Sequence, residues 1–124
     1  MKKKIVLLLV CAIVIVSFVG TIAHAAALRY SNGIVMTYDL YAAHIGSSAG
    51  AAAYTTSSDS TSDCFLSMFS YKNGTCKNSG STHQLAYVYM GLTANGGNLI
   101  VSHHSLRDGY LVPYGGSRSL EVNP

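Results

Sequence analysis

Charged residues are scarce in this chain. Only 10% of its residues are Asp, Glu, Lys or Arg, against about 25% in an average globular domain. Three of the eight basic residues are the N-terminal Lys2, Lys3 and Lys4, so the rest of the chain has five basic and five acidic residues. No cluster of Lys and Arg remains there to neutralise phosphates, so the chain lacks the basic surface that is typical of nucleic-acid-binding proteins.

Motifs of redox and zinc chemistry are missing as well. No C-x-x-C pair is present, so a thioredoxin-like activity has no support in the sequence. No HExxH motif is present either, and two cysteines beyond the N-terminal segment are too few for a four-ligand structural zinc site. We therefore predict no catalytic residue, no metal site and no cofactor.

Helical periodicity is absent, and tryptophan does not occur. Short alternating apolar runs rich in Ser, Thr, Gly, Tyr and Val are separated by turn residues, which is typical of a β-sandwich or barrel. The sequence predicts an all-β fold, an antiparallel β-sandwich of about six to seven short strands. The predicted strands are 34–42, 49–56, 64–71, 84–92, 99–106 and 110–114, with a short closing strand at Leu120 and Val122. Segments 57–63 and 72–82 are predicted to be polar loops, and Pro113 should lie on an edge strand.

The first 25 residues have the layout of a secretory signal peptide. Three lysines precede an uncharged apolar run from Ile5 to Val19, and Ala23-His24-Ala25 supplies a small-residue cleavage site. We predict cleavage before Ala26, which leaves 26–124 as a single secreted domain. An uncleaved membrane anchor is the alternative, because 5–27 is long enough to span a bilayer.

Cys64 and Cys76 are the two cysteines of the predicted mature chain. Export to an oxidising compartment favours a disulfide between them. A tight hairpin at Asn73-Gly74 would instead place Cys76 opposite Tyr71, far from Cys64. Bond and tight hairpin exclude each other, and the disulfide is our expectation.

Gly46-Ser47-Ser48-Ala49-Gly50 matches the G-x-S-x-G pattern of hydrolase nucleophiles. That motif functions on a turn from strand to helix above a large parallel sheet. Because the chain is short and has no helical pattern, we interpret the segment as a turn into a strand of small residues.

His103 and His104 are adjacent in the segment VSHHSL. Neighbouring side chains of a strand point to opposite faces, so the pair cannot bind one metal ion. We expect one histidine on a solvated face and the other hydrogen-bonded near the rim of the sandwich, with neither position contributing more than about 1 kcal/mol.

Tyrosine is the main aromatic residue, with nine copies, all of them beyond residue 25. Tyr87 and Tyr89 alternate with an apolar face, which places them on the opposite face together with His83. Tyrosine offers contact area and a hydroxyl group, which suit protein or sugar surfaces. Cross-strand packing alone would also account for these tyrosines. The predicted binding residues are Tyr41, His83, Tyr87 and Tyr89.

The sequence thus favours a secreted, non-enzymatic protein that binds or acts outside the cell or at its envelope. The expected partner is an extracellular protein or a cell-envelope glycan, and the membrane is involved only during export. A small bacterial antimicrobial protein of the bacteriocin kind is one alternative. A small secreted hydrolase or metal-binding enzyme is the other.

Overall fold

Two four-stranded antiparallel sheets pack face to face. The computed structural model describes the backbone of residues 22–124 and the side chains from residue 26 onward. This part of the chain contains eight strands and no helix, so none of its elements is an apolar helix able to cross a membrane. The strands are β1 (Ile22–Arg29), β2 (Val35–Ile45), β3 (Ser48–Ser57), β4 (Asp63–Lys72), β5 (Thr75–Leu85), β6 (Tyr87–Thr93), β7 (Leu99–Arg107) and β8 (Pro113–Val122).

The chain crosses between the sheets three times. Sheet A has the order β1-β2-β3-β6, and sheet B has the order β5-β4-β7-β8. The crossings follow β3, β5 and β6, so that β3 pairs with β6 in sheet A and β4 pairs with β7 in sheet B, although these strands are not consecutive in the sequence. The predicted all-β sandwich is confirmed, and residues 22–124 form eight strands in place of the expected six to seven.

The core lies between the sheets and is built from alternate residues of the strands. In β2 the even-numbered side chains from Met36 to Leu40 are buried while their neighbours are only partly covered, as the alternating apolar pattern predicts. The other strands contribute mostly Ala, Leu, Met, Val and Ile. The buried apolar residues they supply include Ala51, Ala53, Leu66, Met68, Val88, Leu92, Ile100, Leu106 and Val122.

Most predicted strands are present, and the largest error is β5. Residues 72–82 were expected to form a polar loop, but Thr75–Leu85 is a strand paired along β4. It lies at an edge of sheet B and is largely exposed, so hydrophobic alternation is too weak to mark it. Pro113 begins β8, the other edge strand of the sheet, in agreement with its predicted place.

A second error concerns the segment predicted as one strand, 84–92. Ala86 has a left-handed backbone (φ 67°), and the chain changes sheets there. The Ala86 N–H donates to Ser62 O, and its carbonyl accepts from Ser57 N. His83 therefore belongs to sheet B, whereas Tyr87 belongs to sheet A.

The signal-peptide prediction stays a prediction, because residues 1–21 lie outside the described residues. The predicted cleavage site falls within β1, where the register shifts between Ala23 and Ala26. Beyond that shift, Ala26 to Arg29 pair continuously with β2.

Candidate binding face

The outer face of sheet A carries four tyrosines on three adjacent strands. Tyr41 comes from β2, Tyr54 from β3, and Tyr87 and Tyr89 from β6. Tyr54 pairs directly with Tyr89 in the register of β3 and β6. We call these four residues the tyrosine face.

Contacts between strands hold the tyrosines in place. The Tyr54 and Tyr87 rings stack with their centroids 6.5 Å apart and their planes inclined by 22°. Tyr89 lies near enough to Tyr41 to contribute to the raised pKa of the Tyr41 hydroxyl. Even so, Tyr87 is 48% exposed and Tyr89 is 52% exposed. The face is thus ordered by its own contacts while half of each β6 ring is open to solvent.

The hydroxyls of Tyr41 and Tyr54 stay protonated at ordinary pH. Burial, together with the neighbouring Tyr89, raises the pKa of Tyr41 to about 12. Burial and the nearby Asp39 carboxylate also raise the pKa of Tyr54. Neutral phenols can both donate and accept hydrogen bonds, so the face offers polar groups without charge.

Small residues form the floor beneath the tyrosines. Ala52 points outward between Tyr41 and Gly91 in the register, yet it is fully buried. Because the Tyr41–Tyr89 pair lies diagonally across this position, we attribute the burial of Ala52 to those two rings. At Gly91 an added Cβ would lie 2.9 Å from the Ile45 Cδ1 atom, so Ile45 covers the end of the floor.

His83 does not join the tyrosine face, so its prediction as part of one site with Tyr87 and Tyr89 is wrong. The reason is the change of sheet at Ala86. Its Nδ1 atom lies 2.9 Å from the Oδ1 atom of Asp63 on the outer face of sheet B. The structure brings together Tyr41, Tyr87 and Tyr89 and adds Tyr54.

Asp63 is the centre of an ionic network on sheet B. Its side chain is only 4% exposed, and its Oδ2 atom accepts hydrogen bonds from Arg107 Nε at 2.8 Å and Nη2 at 2.6 Å. The Arg107 guanidinium also lies over the Phe65 ring, 5.0 Å from its centroid. Each charge in this network already has a partner, which favours a structural role.

His103 and His104 lie in β7 and point to opposite faces, as predicted. His103 is partly exposed and bonds through Nδ1 to Ser119 Oγ at 2.6 Å. His104 is fully buried in the core, which corrects the expectation of a position near the rim. Alternation predicts opposite faces, but it does not reveal which face is the core.

His104 connects the two sheets. Its Nδ1 atom is 2.8 Å from Thr55 Oγ1 of sheet A, and its Nε2 atom is 2.6 Å from Ser102 Oγ of its own strand. Burial lowers the pKa of His104 to about 4, so the ring is neutral at physiological pH. Both ring nitrogens have hydroxyl partners, and in neutral imidazole one nitrogen donates while the other accepts.

The predicted disulfide is wrong in this structure, since Cys64 and Cys76 are both free. Asn73 and Gly74 form the tight hairpin turn, both with positive φ (52° and 78°), as a two-residue turn of type I′ requires. Cys76 therefore pairs opposite Tyr71, and Cys64 lies seven residues before Tyr71 in β4. That distance is about 23 Å, far beyond the roughly 4.4–6.8 Å between the Cα atoms of a disulfide.

Ser48 is the first residue of β3, and Gly46 in the preceding turn has φ 65°. The interpretation of G-x-S-x-G as a turn into a strand is confirmed, because the motif leads into no helix. In residues 22–124 no group of three or more His, Cys, Asp or Glu side chains is placed to hold a metal ion.

A separate open pocket of about 490 Å³ lies at one end of the sandwich. It is lined by Ser60, Thr61, Leu85, Gly109 and Tyr110. None of these residues carries a carboxylate, imidazole or thiol, and the phenol of Tyr110 is the one titratable group of the lining.

Sequence reasoning missed Tyr54 because its strand, SAGAAAYTTS, has too few large residues to show which side faces the core. It also missed the Asp63–Arg107 ion pair, which joins residues 44 positions apart. Only the register of β4 with β7 brings these two residues together.

No protein-family model, characterised protein or solved structure matched this chain.

Proposed function

We propose that this protein is secreted and acts as a non-enzymatic binding protein outside the cell or at its envelope, with the tyrosine face as its contact surface. The N-terminal sequence supports export, since three lysines, an apolar run and Ala23-His24-Ala25 follow in the order of a signal peptide.

The observation that carries this proposal is the combination of order and exposure in Tyr87 and Tyr89. Each is about half exposed, yet Tyr87 stacks on Tyr54 and Tyr89 interacts with Tyr41. A side chain that is already ordered loses little conformational entropy when a ligand covers it. Aromatic side chains held in this way contribute much of the contact area in binding sites.

The outer face of sheet B supports the proposal by contrast. Asp63 is bonded to both Arg107 and His83, and His103 is bonded to Ser119. A ligand on that face would have to displace existing partners of these groups. The tyrosine face has open aromatic area without that cost.

The test is binding of purified, fluorescently labelled protein to intact cells of the producing organism. We expect saturable binding that falls at least about tenfold in the double variant Tyr87→Ala/Tyr89→Ala, which corresponds to about 1.4 kcal/mol. Tyr110→Ala is the matched control, because Tyr110 is 92% exposed but lies in the loop before β8. Equal binding of all three proteins, or none, would contradict the proposed function.

A further inference from the structure

We infer that the ligand of the tyrosine face is an extended, uncharged oligosaccharide that crosses sheet A diagonally. This inference rests on the proposed function and names the chemical class of the ligand. It follows from the arrangement, the charge and the area of the face.

The tyrosines form a diagonal row. In the sheet register Tyr41 is level with Gly91, which lies four residues beyond Tyr87 on β6. Two strand spacings of about 4.8 Å and four residues of about 3.4 Å separate the Cα atoms of Tyr41 and Tyr87 by about 17 Å. Tyr54 and Tyr89 lie between these ends, at one level of the register. A row of this length fits a short chain of sugar rings better than a single ring.

The chemistry of the row matches a sugar chain. A pyranose ring has a face of C–H groups that packs on an aromatic ring, and hydroxyls around its edge. The tyrosine rings present apolar faces, and their neutral hydroxyls donate and accept hydrogen bonds. Thr37 and Thr56 extend the face beside Tyr87 at the same level and add two further hydroxyls.

The face carries almost no charge. Among the described outward-facing residues of sheet A, the ionic side chains are Arg29 and Asp39, one of each sign. An anionic polymer would meet no cluster of basic residues on this face, and a cationic ligand would meet one carboxylate. A neutral ligand is the one that this distribution complements.

The two half-exposed β6 rings are by themselves too small a contact for a protein partner of ordinary size. An aromatic side chain has about 150–250 Å² of surface, so two half-exposed rings offer roughly 200 Å². A stable protein interface takes about 800 Å² from each partner. A narrow row of rings therefore fits a chain-like ligand better than a broad protein surface.

The deciding experiment compares intact cells with envelopes from which proteins have been removed by boiling detergent and protease. We expect the labelled protein to bind both preparations equally. Binding should change less than about twofold between 50 and 500 mM NaCl, since screening affects ionic contacts. Neutral hexasaccharides, tested as a panel of glucose, N-acetylglucosamine and mannose oligomers, should include a competitor at least about tenfold stronger than its own monosaccharide.

Tyrosine variants sharpen the test. Tyr87→Ala should weaken binding to stripped envelopes by at least about tenfold, whereas Tyr87→Phe, which keeps the stacking ring, should remain within about threefold of the parent. Tyr110→Ala should bind as the parent protein does.

The failures are distinguishable. Binding to intact cells that disappears from stripped envelopes would overturn the oligosaccharide and indicate a protein partner, while the proposed function would stand. Binding to stripped envelopes that high salt abolishes would overturn the neutral ligand. Absence of binding to intact cells would contradict the proposed function itself.

Discussion

The outer faces of the two sheets use similar residue types in different ways. On sheet B the Phe69 ring stacks with Tyr71 and meets the edge of His103, and the charged groups of Asp63 and Arg107 bond to each other. On sheet A, Tyr87 and Tyr89 are fixed by tyrosine neighbours but remain about half exposed. On the outer face of sheet B the polar groups thus bond to one another, whereas on sheet A part of each β6 aromatic ring stays exposed to solvent.

This difference separates stability from binding. A buried ion pair becomes costly when one partner is removed, because the other charge is left without compensation. A half-exposed ring has little structural contact to lose. Substitutions on the two faces should therefore move different measurements.

The largest effect is expected at Asp63. We expect Asp63→Ala to lower the free energy of unfolding by about 3–5 kcal/mol, because it leaves the Arg107 guanidinium without its buried partner. Urea denaturation would measure this loss. His83→Ala is the control: the His83 side chain is 53% exposed, so its loss should cost less than about 1 kcal/mol. A loss at Asp63 no larger than that at His83 would remove the contrast between the faces.

The next effect concerns the layer between the sheets and depends on pH. The pKa of His104 is lowered to about 4, whereas an unfolded histidine titrates near 6.5. The unfolded state therefore binds a proton first as pH falls. The contribution of neutral His104 is complete above about pH 6.5 and is lost progressively down to about pH 4. The loss should reach about 3 kcal/mol.

Urea denaturation at several pH values would measure the His104 effect. His103→Ala should retain most of the decline, because burial lowers the His104 pKa more than the neighbouring His103 does. His104→Gln should lower stability at pH 7 and flatten the curve between pH 6.5 and 4. An unchanged pH dependence in His104→Gln would assign the decline to other groups.

The two histidines show what alternation in a sequence predicts and where it stops. The segment VSHHSL alternates, so opposite faces for His103 and His104 follow from the sequence alone. Which face of β7 lies in the core depends on the side on which sheet A packs, and that is set by the tertiary structure. Thr55, the partner of His104, is 49 residues away in the chain and in the other sheet. No local pattern indicates such a contact.

The same limit applies to the candidate site. Alternation predicts that Tyr87 and Tyr89 share a face, and the register agrees. That Tyr41 lies on the same face follows only from the pairing of β2, β3 and β6. His83 was assigned to the same face because a strand without a break was assumed. The left-handed backbone at Ala86 changes the sheet, and alanine gives no sequence signal for such a conformation, which glycine and asparagine favour.

Smaller effects on stability are expected from the tyrosine face. Tyr87→Ala and Tyr89→Ala should each lower the free energy of unfolding by no more than about 1 kcal/mol, because each ring is about half exposed. The same urea measurements apply, and the same variants should lose binding. A loss above about 3 kcal/mol would mean that these rings serve the fold, and the contrast with sheet B would fail.

The smallest effect on stability is expected from reducing agent, because the Cys64 and Cys76 thiols of sheet B are not bonded to each other. Burial raises the pKa of Cys64 to about 12, and Cys64 is fully buried, whereas Cys76 is exposed on edge strand β5. Thiolate is the reactive form, so iodoacetamide at pH 8 should modify Cys76 in the folded protein and Cys64 only after unfolding. Because the Asn73-Gly74 hairpin holds Cys64 and Cys76 apart, dithiothreitol should change the free energy of unfolding by less than about 0.5 kcal/mol.

A disulfide closing this loop would contribute about 2–3 kcal/mol. Cys76→Ser is the control and should leave both stability and the protection of Cys64 unchanged. A loss of about 2 kcal/mol on reduction, with a linked Cys64–Cys76 peptide in a non-reduced digest, would show that the hairpin register between β4 and β5 is wrong.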